Sequence, residues 1–170
     1  MISLILLSGC SVDQGESEVT SANNIETPDR QIWNYKVTMS TNGKKTAEVK
    51  SGYMEQYFSR SVYELSDSVE VNFYDENENH TSVLNSDKAQ VNQNLDLLIA
   101  IDNVSFLSDS GYTLFTDTLY WDNTKGLLYT KTEFMMISED GDTTYGTDLK
   151  SDRLLHNITF KEMSGVIIIK

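Results

Sequence analysis

The chain has 170 residues, enough for one domain of ordinary size, and its 39% hydrophobic and 10% aromatic content can build a real core. That composition excludes a long disordered chain. A formal charge of −13 at pH 7 argues against nucleic acid as a partner, because no basic stripe is present to neutralise phosphates. Solubility is the plain reading of the acid excess.

In chain order, the first element is the apolar run Met1-Ile2-Ser3-Leu4-Ile5-Leu6-Leu7, which ends in Leu7-Ser8-Gly9-Cys10. Small residues placed between an apolar run and a cysteine resemble a bacterial lipobox, in which the cysteine is acylated and becomes the new N-terminus. Residues 1–9 therefore read as a lipoprotein signal peptide and Cys10 as the lipidation site. The run is short and has no Lys or Arg before it, which a start site further upstream would explain. The alternative is a structural cysteine in a first strand. Cys10 is the one cysteine of the chain, so no intramolecular disulfide can form. No other segment reaches transmembrane length. Residues 10–31 are polar and acidic, with Glu16, Glu18, Glu26, Asp29 and the single proline, Pro28. They read as a flexible tether whose extended reach is roughly 70 Å.

The folded part is expected over residues 32–170. Trp33, Tyr35, Val37 and Met39 alternate with polar residues, as a half-buried strand requires. Asn42-Gly43 is a hairpin turn signal, and Thr46–Tyr53 returns as the second strand. The segment from Met54 to Val62 fits a strand or one helical turn. Further strands are expected at Val69–Phe73, Ser82–Val91, Leu95–Ile101, Val104–Leu107, Leu114–Trp121, Leu127–Thr132, Phe134–Ile137, Thr144–Lys150, Leu154–Lys161 and Val166–Ile169. No segment sustains a 3.6-residue period. Turn signals every eight to twelve residues predict an all-β antiparallel meander with no substantial helix.

The meander repeats itself at a shift of about thirty residues. Val104 and Phe106 fall onto Phe134 and Met136, Gly111 onto Gly141, Leu119 onto Leu149, and Trp121-Asp122 onto Ser151-Asp152. A looser copy lies upstream, from Val69 through the polar turn Asp75–Asn79 to Ala89.

Reactive chemistry is sparse. His80 and His156 have no metal partner at ligand spacing. No Gly-x-Ser-x-Gly, Walker A or dinucleotide motif occurs. The acidic turns Asp75–Asn79 and Glu139–Asp142 do not match a calcium loop, and polar hairpin turns are commonly built from such residues. An enzyme is not expected, and no cofactor or metal is called for. The apolar rows say more. Val69, Val71 and Phe73 share one face, as do Leu95, Leu97, Ile99 and Ile101, then Val104 and Phe106, Phe134 and Met136, and Ile158 and Phe160. Stacked, they would form a continuous apolar trough. Alternation alone favours the ordinary core of a β-sandwich.

Four segments, in order and at fitting distances, resemble the LptC family, the periplasmic component of the lipopolysaccharide-export ABC transporter. They are His80-Thr81-Ser82-Val83-Leu84-Asn85-Ser86-Asp87-Lys88-Ala89, Asp102-Asn103-Val104-Ser105-Phe106, Thr113-Leu114-Phe115-Thr116-Asp117-Thr118-Leu119-Tyr120-Trp121-Asp122, and Thr144-Tyr145-Gly146-Thr147-Asp148-Leu149-Lys150-Ser151-Asp152. The resemblance covers about Tyr35 to Met163. It departs at Asp148, where the family often has a second glycine, and at the N-terminus, where many relatives carry a transmembrane helix rather than a lipidated Cys10. It implies a twisted, boat-like stack of antiparallel strands, the OstA-like β-jellyroll shared with LptA and LptD. It implies that the trough holds lipopolysaccharide acyl chains, with Val71, Phe73, Leu97, Ile99, Val104, Phe106, Leu119, Phe134, Met136, Gly146, Leu149, Ile158 and Phe160 as the lipid-facing set. Its partners would be the inner-membrane Lpt ABC transporter and an LptA-like bridge protein. They would dock on the two sheet edges, Trp33, Tyr35 and Val37 at one end and Val166, Ile167, Ile168 and Ile169 at the other. The protein would then face the periplasm from the inner membrane. The competing class is a cell-envelope β-sandwich lipoprotein that binds protein or glycan.

The lipobox reading has a direct test. Protein extracted from membranes should carry diacyl mass on Cys10, and Cys10→Ala should release it or leave it unprocessed. An intact mass with no added acyl chains would remove the anchor.

Overall fold

The computed structural model describes residues 26–166. Cys10, the tether as far as residue 25, and Ile167, Ile168 and Ile169 lie outside the described residues. Twelve strands make one antiparallel sheet, with no helix among the described residues. They are β1 (Arg30–Thr41), β2 (Lys44–Tyr57), β3 (Val62–Ser66), β4 (Val69–Tyr74), β5 (His80–Ser86), β6 (Lys88–Asn92), β7 (Leu97–Ser108), β8 (Thr113–Asp122), β9 (Leu127–Tyr129), β10 (Phe134–Ile137), β11 (Thr143–Ser151) and β12 (Thr159–Val166).

The long strands change partners midway, and this folds the sheet on itself. Ala47–Lys50 of β2 pair with β4, whereas Tyr53–Tyr57 pair with β3. Leu97–Ile101 of β7 pair with β6, whereas Ser105–Ser108 pair with β5. In β8, Thr113–Thr116 meet β10 and Tyr120–Asp122 meet β9. In β11, Thr143–Gly146 meet β10 and Lys150–Ser151 meet β9. Two half-sheets result. Half A holds β3, β6, β9 and one end of each long strand; half B holds β4, β5, β10 and the other ends. Their apolar faces meet in a single core, with the Phe73 ring of half B 6.0 Å from Trp121 of half A, edge to face.

Four of the strands that cross between the halves carry residues with a left-handed backbone: Asn34 (φ 53) in β1, Asp102 (φ 64) and Asn103 (φ 51) in β7, Asp148 (φ 53) in β11 and Glu162 (φ 54) in β12. Asp67 (φ 60) and Ser68 (φ 66) do the same between β3 and β4. Asn and Asp visit this region at lower cost than other side-chain-bearing residues. Asp148 therefore fills the place of the family's glycine in a glycine-like conformation. At the β2 crossing the constraint is space instead. The Gly52 N–H donates to the Asp67 carbonyl at 2.9 Å, and a Cβ on Gly52 would sit 2.6 Å from Asp67 Cβ and 2.7 Å from its carbonyl oxygen.

The thirty-residue repeat is structural. Ser108 N donates to Tyr112 O (2.9 Å) and Gly111 N to Ser108 O (3.0 Å); Ser138 N donates to Asp142 O (2.9 Å) and Gly141 N to Ser138 O (3.0 Å). Gly111 and Gly141 share φ 91. The upstream copy has the same turn, Asp75 N to Asn79 O and Glu78 N to Asp75 O, with Glu78 (φ 63) in the glycine position. The Asp75 carboxylate is consumed inside that turn, accepting from Asn77 N, Asn79 N and Asn79 Nδ2, as an Asx turn does.

Several expected strands differ. Ser82–Val91 is two strands, because the chain crosses between halves at Asp87, whose N–H donates to Asp102 O. Conversely, Leu97–Ile101 and Val104–Leu107 belong to one strand, bent at Asp102-Asn103, and Leu95 falls in the turn before it. Met54–Tyr57 completes β2, and Val62–Ser66 is a strand of its own. Leu127–Thr132 stops at Tyr129. Residues Asp152–Ile158 form a loop rather than the start of a strand, and β12 begins only at Thr159. The loop is capped by Asp152, whose Oδ1 accepts from Leu154 N (2.9 Å) and His156 N (3.1 Å).

Gly52→Ala should lower stability by about 1–3 kcal/mol, the usual range for forcing extra volume into a packed site. The reading is the denaturant midpoint at an unchanged m value. An unaltered midpoint would show that β2 and the Asp67 turn are not in close approach.

Candidate functional site

Along most of its length the space between the halves is filled. Val71, Leu84, Phe106, Leu114, Leu119, Leu128 and Leu149 are completely buried, and Phe134 and Met136 nearly so. The loop Asp152–Ile158 closes the mouth between the halves over the middle of the fold. Its Leu155 enters the core, and the Leu154 carbonyl accepts hydrogen bonds from Ser108 Oγ (2.9 Å) and Ser110 Oγ (2.5 Å) on half B. Arg153 spans the same gap. Its guanidinium lies 5.2 Å from the Trp121 ring and 5.8 Å from Phe73, and Nη1 donates to Tyr74 O at 3.5 Å. Burial pulls the Arg153 guanidinium below its ordinary value, opposed by the nearby Asp75 carboxylate.

Toward β1 the filling stops. A cavity of about 240 Å³ is lined by Met39, Ala47, Val49, Val71, Phe73, Val91, Leu97, Leu98, Trp121 and Arg153, among others. A second, of about 310 Å³, is lined by Tyr35, Val37, Met39, Val49, Tyr63, Leu65 and Val91, with Asn92, Gln93 and Asp96 at its polar rim. The two share Met39, Val49, Val91 and Asp96 and so form one groove between β1 and β2 of half B and β3 and β6 of half A. Apolar side chains line it because each strand alternates, sending Tyr35 and Val37, Ala47 and Val49, and Leu65 to the inner face. Burial, and secondarily Tyr63, pushes the Tyr35 phenol upward, so it stays neutral.

The expected lipid-facing set divides into four groups. Val71, Phe73, Val104, Phe106, Leu119, Phe134, Met136, Gly146 and Leu149 are buried on the inner face. Of these, only Val71 and Phe73 line the groove; the others are packed against protein. Gly146 is where the Phe134 ring crosses the sheet: a Cβ there would meet ring carbons at 3.0 Å. Ile158 and Phe160 are half-buried beside the core, Phe160 with its ring 5.4 Å from Phe134.

Leu97 and Ile99 correct the expected phase. The inward residues of that strand are Leu98 and Ala100, while Leu97, Ile99 and Ile101 belong to the outer face and Leu95 is 62% exposed. Leu97, at the start of the strand, nevertheless lines the groove. A continuous apolar run has no alternation from which to read its phase. The deciding signal lies across the sheet, where Ala89 pairs with Ala100 and Ala100 with Leu119.

At the β1 edge the phase also shifts. The left-handed Asn34 turns Ile32, Tyr35 and Val37 inward and leaves Trp33 65% exposed on the outer face, 5.3 Å from the Tyr53 ring. Among the described residues β1 pairs only with β2, and β12 only with β11. Val166 is exposed. The groove residues not picked from sequence include Met39, Ala47, Val49, Tyr63, Leu65, Val91, Leu98, Trp121 and Arg153. The apolar ones lie in strands whose alternation is visible in the sequence; Arg153 had no signal.

His80 sits at the surface between Asp109 (Nδ1 to Oδ2, 3.0 Å) and Asn72 (Nε2 to Oδ1, 3.2 Å), and His156 is exposed. Among the described residues no group of three His, Cys, Asp or Glu side chains is placed to hold a metal ion. Nor is any helix long and apolar enough to cross a membrane.

A search of curated proteins finds no match to this chain. The family described as lipopolysaccharide-assembly, LptC-related, matches it over residues 1–165. That match takes in all four of the segments that carried the resemblance, and each of those segments spans a crossing between the halves. The chain belongs to the LptC family, a periplasm-facing component of lipopolysaccharide transport.

Proposed function

We propose that the chain carries lipopolysaccharide by its acyl chains, taking them into the groove between β1 and the half-A strands β3 and β6. The observation that supports this is the groove itself, an apolar opening continuous with the apolar core. An acyl chain leaving water gains roughly 0.8 kcal/mol per buried methylene, so a groove lined by Val, Leu, Met and Phe needs no reactive group to hold it. The phosphorylated sugar head stays in water beyond the polar rim of Asn92, Gln93 and Asp96. Deeper passage toward Phe106 and Met136 requires the halves to part. The loop Asp152–Ile158 and Arg153 are the contacts that must yield first, because they tie the two lips together.

In this reading the transporter's ATPase supplies the work, and lipid passes on to an LptA-like bridge. The partners pair with the free edges of β1 and β12, since an unpaired edge is a template for strand addition. A membrane anchor at Cys10 would hold the domain beside the transporter.

Photoreactive residues at Val37 and Phe73 should crosslink lipopolysaccharide in cells with an active transporter, and one at Phe106 should do so only while transport runs. Positions Ile99 and Glu70, on the outer faces, should stay unlabelled. Equal labelling of both faces would overturn the groove.

The docking edge is tested separately. Deleting residues 165–170 should leave the melting temperature nearly unchanged and abolish capture of an LptA-like partner. A large drop in melting temperature would make that segment part of the core and move docking elsewhere.

A further inference from the structure

The outer face of half A carries a feature that the lipid groove does not use. The chain has 13 Lys and Arg against 26 Asp and Glu, yet four lysines border one cleft of about 550 Å³ formed by β9, β11, β12 and the Asp122 turn. These are Lys125, Lys131, Lys150 and Lys161. We propose that this cleft binds a small phosphate-bearing anion, its phosphate between Lys131 and Lys150 and the rest of the molecule against Tyr129.

The register builds the site. Lys150 of β11 is directly opposite Tyr129 of β9, and Tyr129 opposite Tyr120 of β8. Directly opposed residues project from the same face. The two tyrosine rings stack face to face at 4.8 Å with 8° between their planes, which fixes the Tyr129 ring in the wall of the cleft. Lys131 approaches that wall from the next turn, its Nζ 6.0 Å from the Tyr120 centroid.

The four lysines are not equivalent. Lys125 is bound to Asp122 at 2.6 Å and Lys161 to Asp148 at 2.8 Å. Lys131 and Lys150 have no carboxylate ion pair among the described residues. Their charges nonetheless reach the same place. The Asp148 carboxyl is held below its ordinary range by the Lys161 hydrogen bond first, and by the charges of Lys150 and Lys131 as well. Among the described residues, Lys131 and Lys150 share only the Asp148 carboxylate already bound to Lys161, and an anion between them relieves the repulsion that remains.

The same observations select the ligand class. A doubly charged phosphate satisfies two point charges better than a carboxylate does. Tyr129, which lines the cleft, offers an apolar face to a ring. A large polyanion is disfavoured, because the net charge of −13 repels it beyond the cleft. The cleft is on the opposite side of the sheet from the groove, so it stands whether or not the groove carries lipid.

The probes are inorganic phosphate, glucose 6-phosphate, and phosphatidylcholine vesicles with and without phosphatidic acid, all applied to the full chain at low ionic strength. Glucose 6-phosphate should bind saturably in calorimetry. Lys131→Gln with Lys150→Gln should weaken binding at least tenfold. Lys36→Gln with Lys44→Gln, which removes the same charge elsewhere, should leave it unchanged. Binding of the free ester identifies a soluble ligand. Retention on vesicles that requires both phosphatidic acid and Lys131 with Lys150, without binding of the free ester, identifies a lipid head group. No saturable binding of any probe, or equal losses in the two double variants, overturns the site.

Discussion

The fold depends on a seam of residues that accept a left-handed backbone. Twelve antiparallel strands would otherwise form a single twisted sheet with one face of apolar side chains in water. Bending at Asn34, at Asp102-Asn103, at Asp148 and at Glu162 brings the two ends of β1, β7, β11 and β12 face to face, β2 and β8 follow them, and the sheet buries its own surface. A left-handed residue costs roughly 1–2 kcal/mol for a general side chain and less for Asn or Asp. The seam also ties itself together. Asn103 Nδ2 donates to Asp87 at 2.6 Å, Lys88 pairs with Asp102 at 2.9 Å and Lys161 with Asp148 at 2.8 Å. Part of the acid excess is therefore structural, set by where the backbone has to bend.

This seam explains what could and could not be read from the sequence. Strand identity, hairpin turns and the thirty-residue repeat were legible, because alternation and turn residues are local properties. The copies even share hydrogen bonds, from Ser108–Tyr112 to Ser138–Asp142. What was not legible is the bend. Asp and Asn read as turn or solvent residues, and nothing local says that a strand continues beyond them. So Asp102-Asn103 looked like a strand end and is a kink, while Asp87 looked like a strand interior and is a crossing between halves. The inner face suffered in the same way. Trp33 points outward because Asn34 resets the alternation, and Leu97 and Ile99 because an all-apolar run has no phase of its own.

The candidate site was half legible for a related reason. Apolar rows identify an inner face but not whether protein or ligand covers it. Here the answer varies along the fold. From β7 onward the two halves meet, and Phe106, Leu119 and Leu149 are covered by one another. Toward β1, half A contributes Tyr63, Leu65 and Val91 and half B contributes Val37, Val49 and Phe73, and these do not close the gap. Arg153 marks the division. Its position over Phe73 and Trp121 depends on the loop Asp152–Ile158, which no periodicity announces.

The open groove and the free edge of β1 are adjacent, and this limits what can dock there. Arg30–Trp33 pair with the end of β2 that belongs to half A, and Lys36–Met39 with the end that belongs to half B. β1 is therefore the last strand of both halves at once, with its bend at Asn34. A straight strand added to its outer edge could follow one half only, because the hydrogen-bonding direction turns at the bend. A partner that pairs along the whole of β1 must bend at the same level, through Asn, Asp or Gly. Such a partner would extend both walls of the groove together, whereas a straight partner would extend one wall and leave the apolar lining of the other in water. Selection for a bent partner strand thus follows from the same backbone constraint that folds the domain.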